Sequence, residues 1–184
     1  SRTIKEFSLT LIVVTLIVNL TGNLLGRIGE LIGRKEEIYV LYPALIDTIG
    51  DVGSIVGSTM TTKLALGTAD SSFKSIRKNL PEIGGVLISS GIWFLLFSLV
   101  SLYLTRRTIV LNDLLILAAV LSSLNILAGP IMATVSYSLA VLTFRQGLDP
   151  DNFVIPCESS LSDSVTTASL LLVLFLFIRA NLFL

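Results

Sequence analysis

The stretch of sequence that decides the fold is residues 114–144, LLILAAVLSSLNILAGPIMATVSYSLAVLTF, which contains no charged side chain. A helix needs about 20 mostly apolar residues to cross the hydrocarbon core of a bilayer, which is roughly 30 Å thick. This stretch is longer than that, and it is uninterrupted by charge. It therefore predicts a membrane-spanning helix.

Four further runs of suitable length lie on either side of it. Residues 7–26 and 83–105 carry no charge, residues 38–62 carry two aspartates, and residues 159–178 carry one. Mean hydropathy is +0.87, and charged residues make up 14% of the chain, against about 25% in a soluble domain. We therefore expect an all-α, polytopic membrane protein with five spans in one transmembrane domain, residues 1–184.

Gly129 and Pro130 lie at the middle of the longest run. At 1.5 Å per residue this run would form a helix about 46 Å long, which exceeds the thickness of the hydrocarbon core. Proline also lacks the backbone N–H that an interior helical residue donates. We expect this fourth helix to be kinked or broken near the Gly129-Pro130 pair.

The composition excludes several classes of function. The 13 basic residues balance 13 acidic ones, histidine is absent, and Cys157 is the single cysteine. Zero net charge argues against nucleic-acid binding, which goes with a basic excess. Without histidine the usual catalytic base and the commonest transition-metal ligand are missing, and one cysteine forms neither an internal disulfide nor a metal cluster. Any bound cation must therefore be coordinated by oxygen atoms.

Three carboxylates, Asp47, Asp51 and Asp163, fall inside the expected spans. A charge within a membrane is costly, so such residues usually face a cavity, a bundle interior or a partner, and we take them as candidate metal ligands. Asp47 and Asp51 are one helical turn apart and begin a polar face of the second span. Hydroxyl residues on the same helical faces are the candidate pore-lining residues: Ser54, Ser58, Thr62, Ser159, Thr166 and Thr167.

Structural interpretations stay open for some of these residues. A serine or threonine hydroxyl can bond to a carbonyl oxygen one turn earlier in its own helix. Asp47 can pair with Lys63 or with an arginine of another span. Asp113 and Asp149 lie at segment ends, and we interpret both as cap or turn residues.

Small residues recur at three- and four-residue spacing in two places. Such stripes let helix backbones approach closely, so packing is the function we expect for them. The first stripe is Gly22, Gly26, Gly29 and Gly33, and the second is Gly50, Gly53 and Gly57.

Carboxylates and hydroxyls without nitrogen or sulfur ligands form a hard-oxygen environment, which suits Mg²⁺, Ca²⁺, Mn²⁺ or Na⁺. Because Mg²⁺ loses its water reluctantly, a pathway for it would contact a hydrated ion through a few oxygen atoms. One chain supplies only three such carboxylates. A twofold homodimer with the fifth span along its axis would double that number.

Two segments carry a resemblance to a known family. Residues 43–54, PALIDTIGDVGS, are followed by GS at 57–58 and LALG at 64–67, and GLDP at 147–150 precedes SLSD at 160–163. These segments resemble the second and last spans of the MgtE magnesium transporters and the related solute carrier family 41. In that family a pore-lining aspartate follows the proline of the GxDP turn by thirteen residues, which is the position of Asp163.

The resemblance implies a divalent cation channel or transporter, with Mg²⁺ as the expected ion and no resident cofactor. It also implies a multi-pass protein of the plasma membrane that forms a homodimer, with the cation pathway near the fifth spans. The chain departs from the family in its second span. Bacterial members usually have asparagine at Asp51, glutamine at Ile55 and no acid at Asp47, so this second span is more acidic.

Three alternatives stay open. A Na⁺- or H⁺-coupled Mg²⁺ exchanger would use Asp47 and Asp51 as its coupling site. An intramembrane aspartyl protease would use the Gly50-Asp51 pair, but it also needs a Tyr-Asp dipeptide, which this sequence lacks. A non-transporting membrane subunit gives no reason for carboxylates in mid-span. We therefore expect a transporter and not an enzyme.

Overall fold

A computed structural model describes residues 2–32, 36–147 and 151–182. Five long helices account for most of these residues. They are α1 (Arg2–Ile32), α2 (Glu36–Ala65), α3 (Ile76–Arg106), α4 (Leu111–Arg145) and α5 (Asp151–Arg179). One 3-10 turn, Phe73–Ser75, precedes α3.

Within the described residues, four helices are long and apolar enough to cross a membrane. These are α2, α3, α4 and the segment Glu158–Arg179 of α5. They contain the second, third, fourth and fifth predicted spans, so the prediction of an all-helical, multi-pass membrane protein is confirmed for these four. The first predicted span, residues 7–26, lies within α1, and its role as a span stays a prediction.

The helices extend beyond the uncharged runs. One such extension is at α3, which begins at Ile76, whereas the sequence placed the start of that span at Ile83. The charged residues Arg77, Lys78 and Glu82 are exposed in this first part of the helix. Long charged side chains reach water while the backbone stays helical, so a charge does not mark the end of a helix.

The helices α2, α3, α4 and α5 pack as a bundle in which α2 and α4 each contact the other three, and α1 lies against α5. Two apolar clusters form the core. One is built around Leu45, Phe94 and Leu121, and the other is built around Met60 and Tyr137. This arrangement brings one face of α2 against α5, and that contact positions the site.

The helix α4 is continuous through Gly129 and Pro130. The predicted break is therefore wrong, and the predicted kink stays a prediction. A Cβ atom at Gly129 would lie 2.6 Å from Cδ2 of Leu87, so this glycine permits a close approach of α3. Asn125 joins the two helices there, since its Nδ2 donates to the Leu87 carbonyl at 3.0 Å and its Oδ1 accepts from Ser90 at 2.7 Å. Contacts with a neighbouring helix stabilise a helix that contains proline.

An ion-pair cluster joins α2, α3 and α4 at one end of the bundle. Arg106 contacts both Glu37 and Asp113, and Ser101 Oγ donates to the Glu37 carbonyl at 2.9 Å. The structural interpretation of Asp113 is confirmed, with an ion pair in the first turn of α4 in place of a cap. Asp149 lies outside the described residues.

The glycine stripes differ in what they contact. An added Cβ at Gly22 or Gly26 would meet no described atom of another element within 4 Å, whereas one at Gly29 would lie 2.9 Å from the Tyr39 hydroxyl. Among the described residues of the first stripe, close packing therefore occurs at Gly29 and not at Gly22 or Gly26. Gly33 lies outside the described residues. The stripe of α2 packs closely, because an added Cβ at Gly50 would lie 3.3 Å from Ser162 Oγ and one at Gly53 would lie 2.8 Å from Ser136 Oγ.

Candidate cation site

A cavity of about 220 Å³ lies between α2 and α5. Both helices line it mainly with carboxylates, hydroxyls and a glycine. The lining residues are Ile46, Asp47, Gly50, Asp51 and Ser54 of α2 with Glu158, Ser159, Ser162 and Asp163 of α5. A cavity needs about 15 Å³ to hold one water molecule, so this one has room for a hydrated cation.

The close contact of α2 with α5 follows from the glycines of α2. Gly50, Gly53 and Gly57 present no side chain to the facing helices, so polar groups of α5 approach the α2 backbone. Asp47, Asp51 and Ser54 lie beside this glycine face and border the same cavity. The alternation of glycine with polar residues in residues 47–58 therefore builds the site.

Asp47 and Asp51 are exposed in the single chain. Besides the cavity at α5, they border an open groove of about 640 Å³ between α2 and α3, which Glu82 also lines. Lys63 does not pair with Asp47. Its Nζ lies 2.6 Å from Glu82 Oε2 and 2.7 Å from Asn79 Oδ1, so the Asp47–Lys63 pair that the sequence left open does not form.

No ion pair involves Asp47, Asp51 or Asp163 among the residues that the structure describes. Asp163 is half-buried on α5. The turn after it is anchored to α2, because Thr167 Oγ1 donates to the Asp163 carbonyl and Tyr42 donates to Thr167 Oγ1 at 2.6 Å. The Asp163 carboxylate is thus held on a fixed part of α5.

Of the nine residues selected from the sequence, the structure brings Asp47, Asp51, Ser54, Ser159 and Asp163 together. The other four lie outside this cavity lining. Ser58 and Thr62 are exposed farther along α2, whereas Thr166 and Thr167 are 0% exposed. A pore-lining role for these four stays a prediction.

Glu158 lines the cavity but was not predicted to do so. Its side chain is 2% exposed, and neither of its carboxylate oxygens has a hydrogen-bond partner in the described part of the chain. The fifth span was drawn from Ser159, one residue later, because the uncharged run began there. One signal could have found it, since Glu158 directly precedes the predicted site residue Ser159. It also lies one helical turn before Ser162, which the structure places in the same cavity lining.

Cation binding here would involve few protein ligands from a single chain. In the ranges 2–32, 36–147 and 151–182, no three acidic or other metal-ligating side chains converge in a geometry that could hold an ion by themselves. The α2–α5 cavity therefore brings isolated carboxylates and hydroxyls to a common space without forming a closed cage.

The fold and the cavity define a class of protein, a multi-pass helical membrane protein with unpaired carboxylates between two of its spans. The family model of MgtE, described as a divalent cation transporter, matches residues 42–173. This range contains all the residues that line the cavity. The chain belongs to the MgtE family of divalent cation transporters, as the resemblance predicted. No curated protein and no solved structure matches the chain.

Proposed function

We propose that the chain transports Mg²⁺ along a pathway that includes the α2–α5 cavity. The observation that carries this proposal is the convergence of Asp47, Asp51 and Asp163 on one cavity, with no basic partner among their described neighbours. Uncompensated carboxylates within a membrane lower the energy of a cation there, and rings of acidic residues select cations in channels.

The chemistry of the lining favours a hydrated hard cation. All of its polar side chains ligate through oxygen, and Mg²⁺ usually keeps several waters while it contacts one or two carboxylates. The volume of about 220 Å³ accommodates such an ion with part of its water shell. The role that we propose for Asp47, Asp51 and Asp163 is therefore direct or water-mediated contact with Mg²⁺.

A homodimer in the plasma membrane is part of this proposal. Asp47, Asp51, Ser54, Ser58 and Thr62 are all exposed along one face of α2. Such a face is unfavourable against lipid, because polar groups in a bilayer need protein or a water-filled cavity beside them. A twofold arrangement would place the α2 faces of two copies along a shared aqueous pathway.

Coupled exchange of Mg²⁺ for Na⁺ or H⁺ is the alternative, and one observation favours it. Asp47 and Asp51 are one turn apart and lack a basic partner in the described part of the chain. Two ionised carboxylates so close repel each other, and a cation or a proton relieves the repulsion. In an exchanger, that cation or proton would be the coupling ion.

Reconstitution into liposomes tests transport directly. Vesicles that contain a Mg²⁺-sensitive dye should show saturable Mg²⁺ influx with the wild-type chain and none without protein. The same vesicles with a membrane-spanning peptide added should leave the peptide intact, since we propose no enzymatic activity. Influx equal to that of protein-free vesicles, or cleavage of the peptide, would contradict the proposal.

Cross-linking tests the dimer in native membranes. In a Cys157→Ala background, Ser58→Cys should cross-link between copies, because Ser58 lies on the exposed polar face of α2. The matched control is Ile126→Cys, which is 75% exposed on α4 and should not cross-link. An active protein that stays monomeric with Ser58→Cys would refute the twofold arrangement.

A further inference from the structure

We infer that the Glu158 carboxylate, with the hydroxyls of Ser54 and Ser136, binds a monovalent metal cation the size of Na⁺ at the buried edge of the α2–α5 cavity. This site is distinct from the proposed Mg²⁺ position at Asp47, Asp51 and Asp163. It requires only the local geometry and does not depend on Mg²⁺ transport.

The first argument is the burial of unpartnered oxygens. Glu158 is 2% exposed and Ser136 is 0% exposed. Both carboxylate oxygens of Glu158 and the hydroxyl of Ser136 lack a hydrogen-bond partner among the described residues. A buried carboxylate without compensation is strongly unfavourable. A group that binds several oxygens at once would satisfy all three atoms.

The second argument is the absence of a basic neighbour in the described ranges. From α2, Glu158 is faced by Gly53, Gly57 and Ser54, and from α4 it is faced by Ser136. None of these residues is charged. The lysine nearest in sequence to them, Lys63, is paired with Glu82. The compensating charge must therefore come from solution.

The third argument distinguishes a metal ion from a proton. The hydroxyls of Ser54 and Ser136 lie beside the Glu158 carboxyl group. A proton binds to one carboxylate oxygen, whereas a metal cation is coordinated by several oxygen atoms at once. Three oxygen-bearing side chains that meet at one buried point therefore form a ligand set for a metal cation.

The fourth argument concerns charge and space. One carboxylate and two neutral hydroxyls balance a single positive charge, whereas a dication would leave a buried excess charge. Space is also short, because a Cβ atom at Gly57 would lie 2.5 Å from Glu158 Oε1. Since Mg²⁺ demands near-ideal octahedral geometry and keeps several waters, a small dehydrated monovalent cation fits this position better.

Thermal unfolding of the purified full chain in detergent tests the site. The midpoint should rise with NaCl at constant ionic strength against choline chloride, because a ligand that binds only the folded state stabilises it in proportion to the logarithm of its concentration. Glu158→Gln should abolish this Na⁺ dependence. Asp163→Asn should keep it even where Mg²⁺ transport is lost, so failure of the transport proposal and failure of this one are distinguishable.

Two glycine variants form a matched pair. Gly57→Ala places a methyl group against Oε1 of Glu158 and should weaken the apparent Na⁺ affinity at least tenfold. Gly84→Ala, on α3, meets no described atom of another element within 4 Å and should leave the affinity unchanged. Ser136→Ala removes one proposed ligand and should weaken the affinity if Glu158→Gln does not fold.

Four results would overturn the inference. A wild-type midpoint equal in sodium and choline shows that no Na⁺ site exists, and a dependence on pH alone assigns the compensating charge to a proton. Na⁺ dependence that persists in Glu158→Gln, or is unchanged in both Gly57→Ala and Ser136→Ala, places the Na⁺ site elsewhere in the protein.

Discussion

Two regions of the α2 contact surface hold buried carboxylates with different partners. Glu37, at the start of α2, is 7% exposed and is paired with Arg106. Glu158, which faces the middle of α2, is 2% exposed and has no partner among the described side chains. The comparison shows that burial does not by itself identify a cation site. We propose the absence of a compensating basic residue as the better criterion.

The physical basis is the cost of an isolated charge. A buried carboxylate that pairs with a basic side chain recovers much of its desolvation energy, and removing its partner is strongly destabilising. The Glu37–Arg106–Asp113 cluster is of this kind and joins three helices. At the α2–α5 cavity no described basic side chain supplies the compensating charge, and we propose that an ion does. The structure therefore divides its acidic residues into paired structural residues and unpaired candidate ligands.

The largest effect is expected for Asp163→Ala. Removing this carboxylate raises the electrostatic barrier to a dication, so Mg²⁺ influx into proteoliposomes should fall to the level of protein-free vesicles. The variant should still insert and assemble, because Asp163 has no described ion pair to lose. Wild-type uptake by a well-folded Asp163→Ala protein would show that this unpaired carboxylate is not part of the cation pathway.

Asp51→Asn and Asp47→Asn should change transport several-fold. If the ion that relieves their mutual repulsion is Na⁺ or H⁺, both variants should change the Na⁺ or H⁺ dependence of Mg²⁺ flux, and in the same direction. The measurement is Mg²⁺ influx with the two gradients imposed separately. Unchanged flux and ion dependence in both variants, with a lowered melting temperature, would leave only a structural role.

The fold was largely predictable from the sequence, because span length is a direct physical requirement of the bilayer. Four predicted spans are long apolar helices, although α3 begins seven residues before Ile83. Of the predicted kink or break at Pro130, the break does not occur, since the proline is inside a continuous helix that α3 supports through Asn125 and Leu87, and the kink stays a prediction. The hydrophobic periodicity of one helix does not predict which side chains of another helix will contact it.

The candidate site was predictable only in part. Carboxylates in mid-span indicated Asp47, Asp51 and Asp163, and the structure adds that they share one cavity. Glu158 was missed because the predicted spans were bounded at charged residues. An acidic residue at the edge of a span is then left outside it. The pairing of Lys63 with Glu82 could not be predicted either, since it depends on how α3 packs beside α2.

Glu37→Gln should lower stability without changing transport. The substitution weakens a charge-assisted contact to Arg106, and the expected loss is about 1–3 kcal/mol of unfolding free energy. Chemical or thermal unfolding in detergent measures it. Mg²⁺ influx per folded protein should equal that of wild type, because Glu37 does not line the cavity. Reduced influx with normal stability would show that paired carboxylates also take part in transport.

The smallest effect is expected for Lys63→Met, which converts a paired carboxylate into an unpaired one. Glu82 would lose the ammonium group that now lies 2.6 Å away, beside the groove that Asp47 and Asp51 also line. Because the Glu82 side chain is 55% exposed, solvent screens the loss of the ion pair. The buried Asn79 Oδ1 also loses a donor, so stability should fall by about 1 kcal/mol.

The released negative charge should still favour cations near Asp51. We expect the KM for Mg²⁺ influx to fall by about twofold at low ionic strength and by less as salt screens the charge. The matched control is Lys78→Met, since Lys78 pairs with Asp70 at 3.3 Å and neither residue lines the cavity or the groove. An equal change of KM in both variants would mean that overall charge, and not the unpaired carboxylate beside Asp51, controls cation entry.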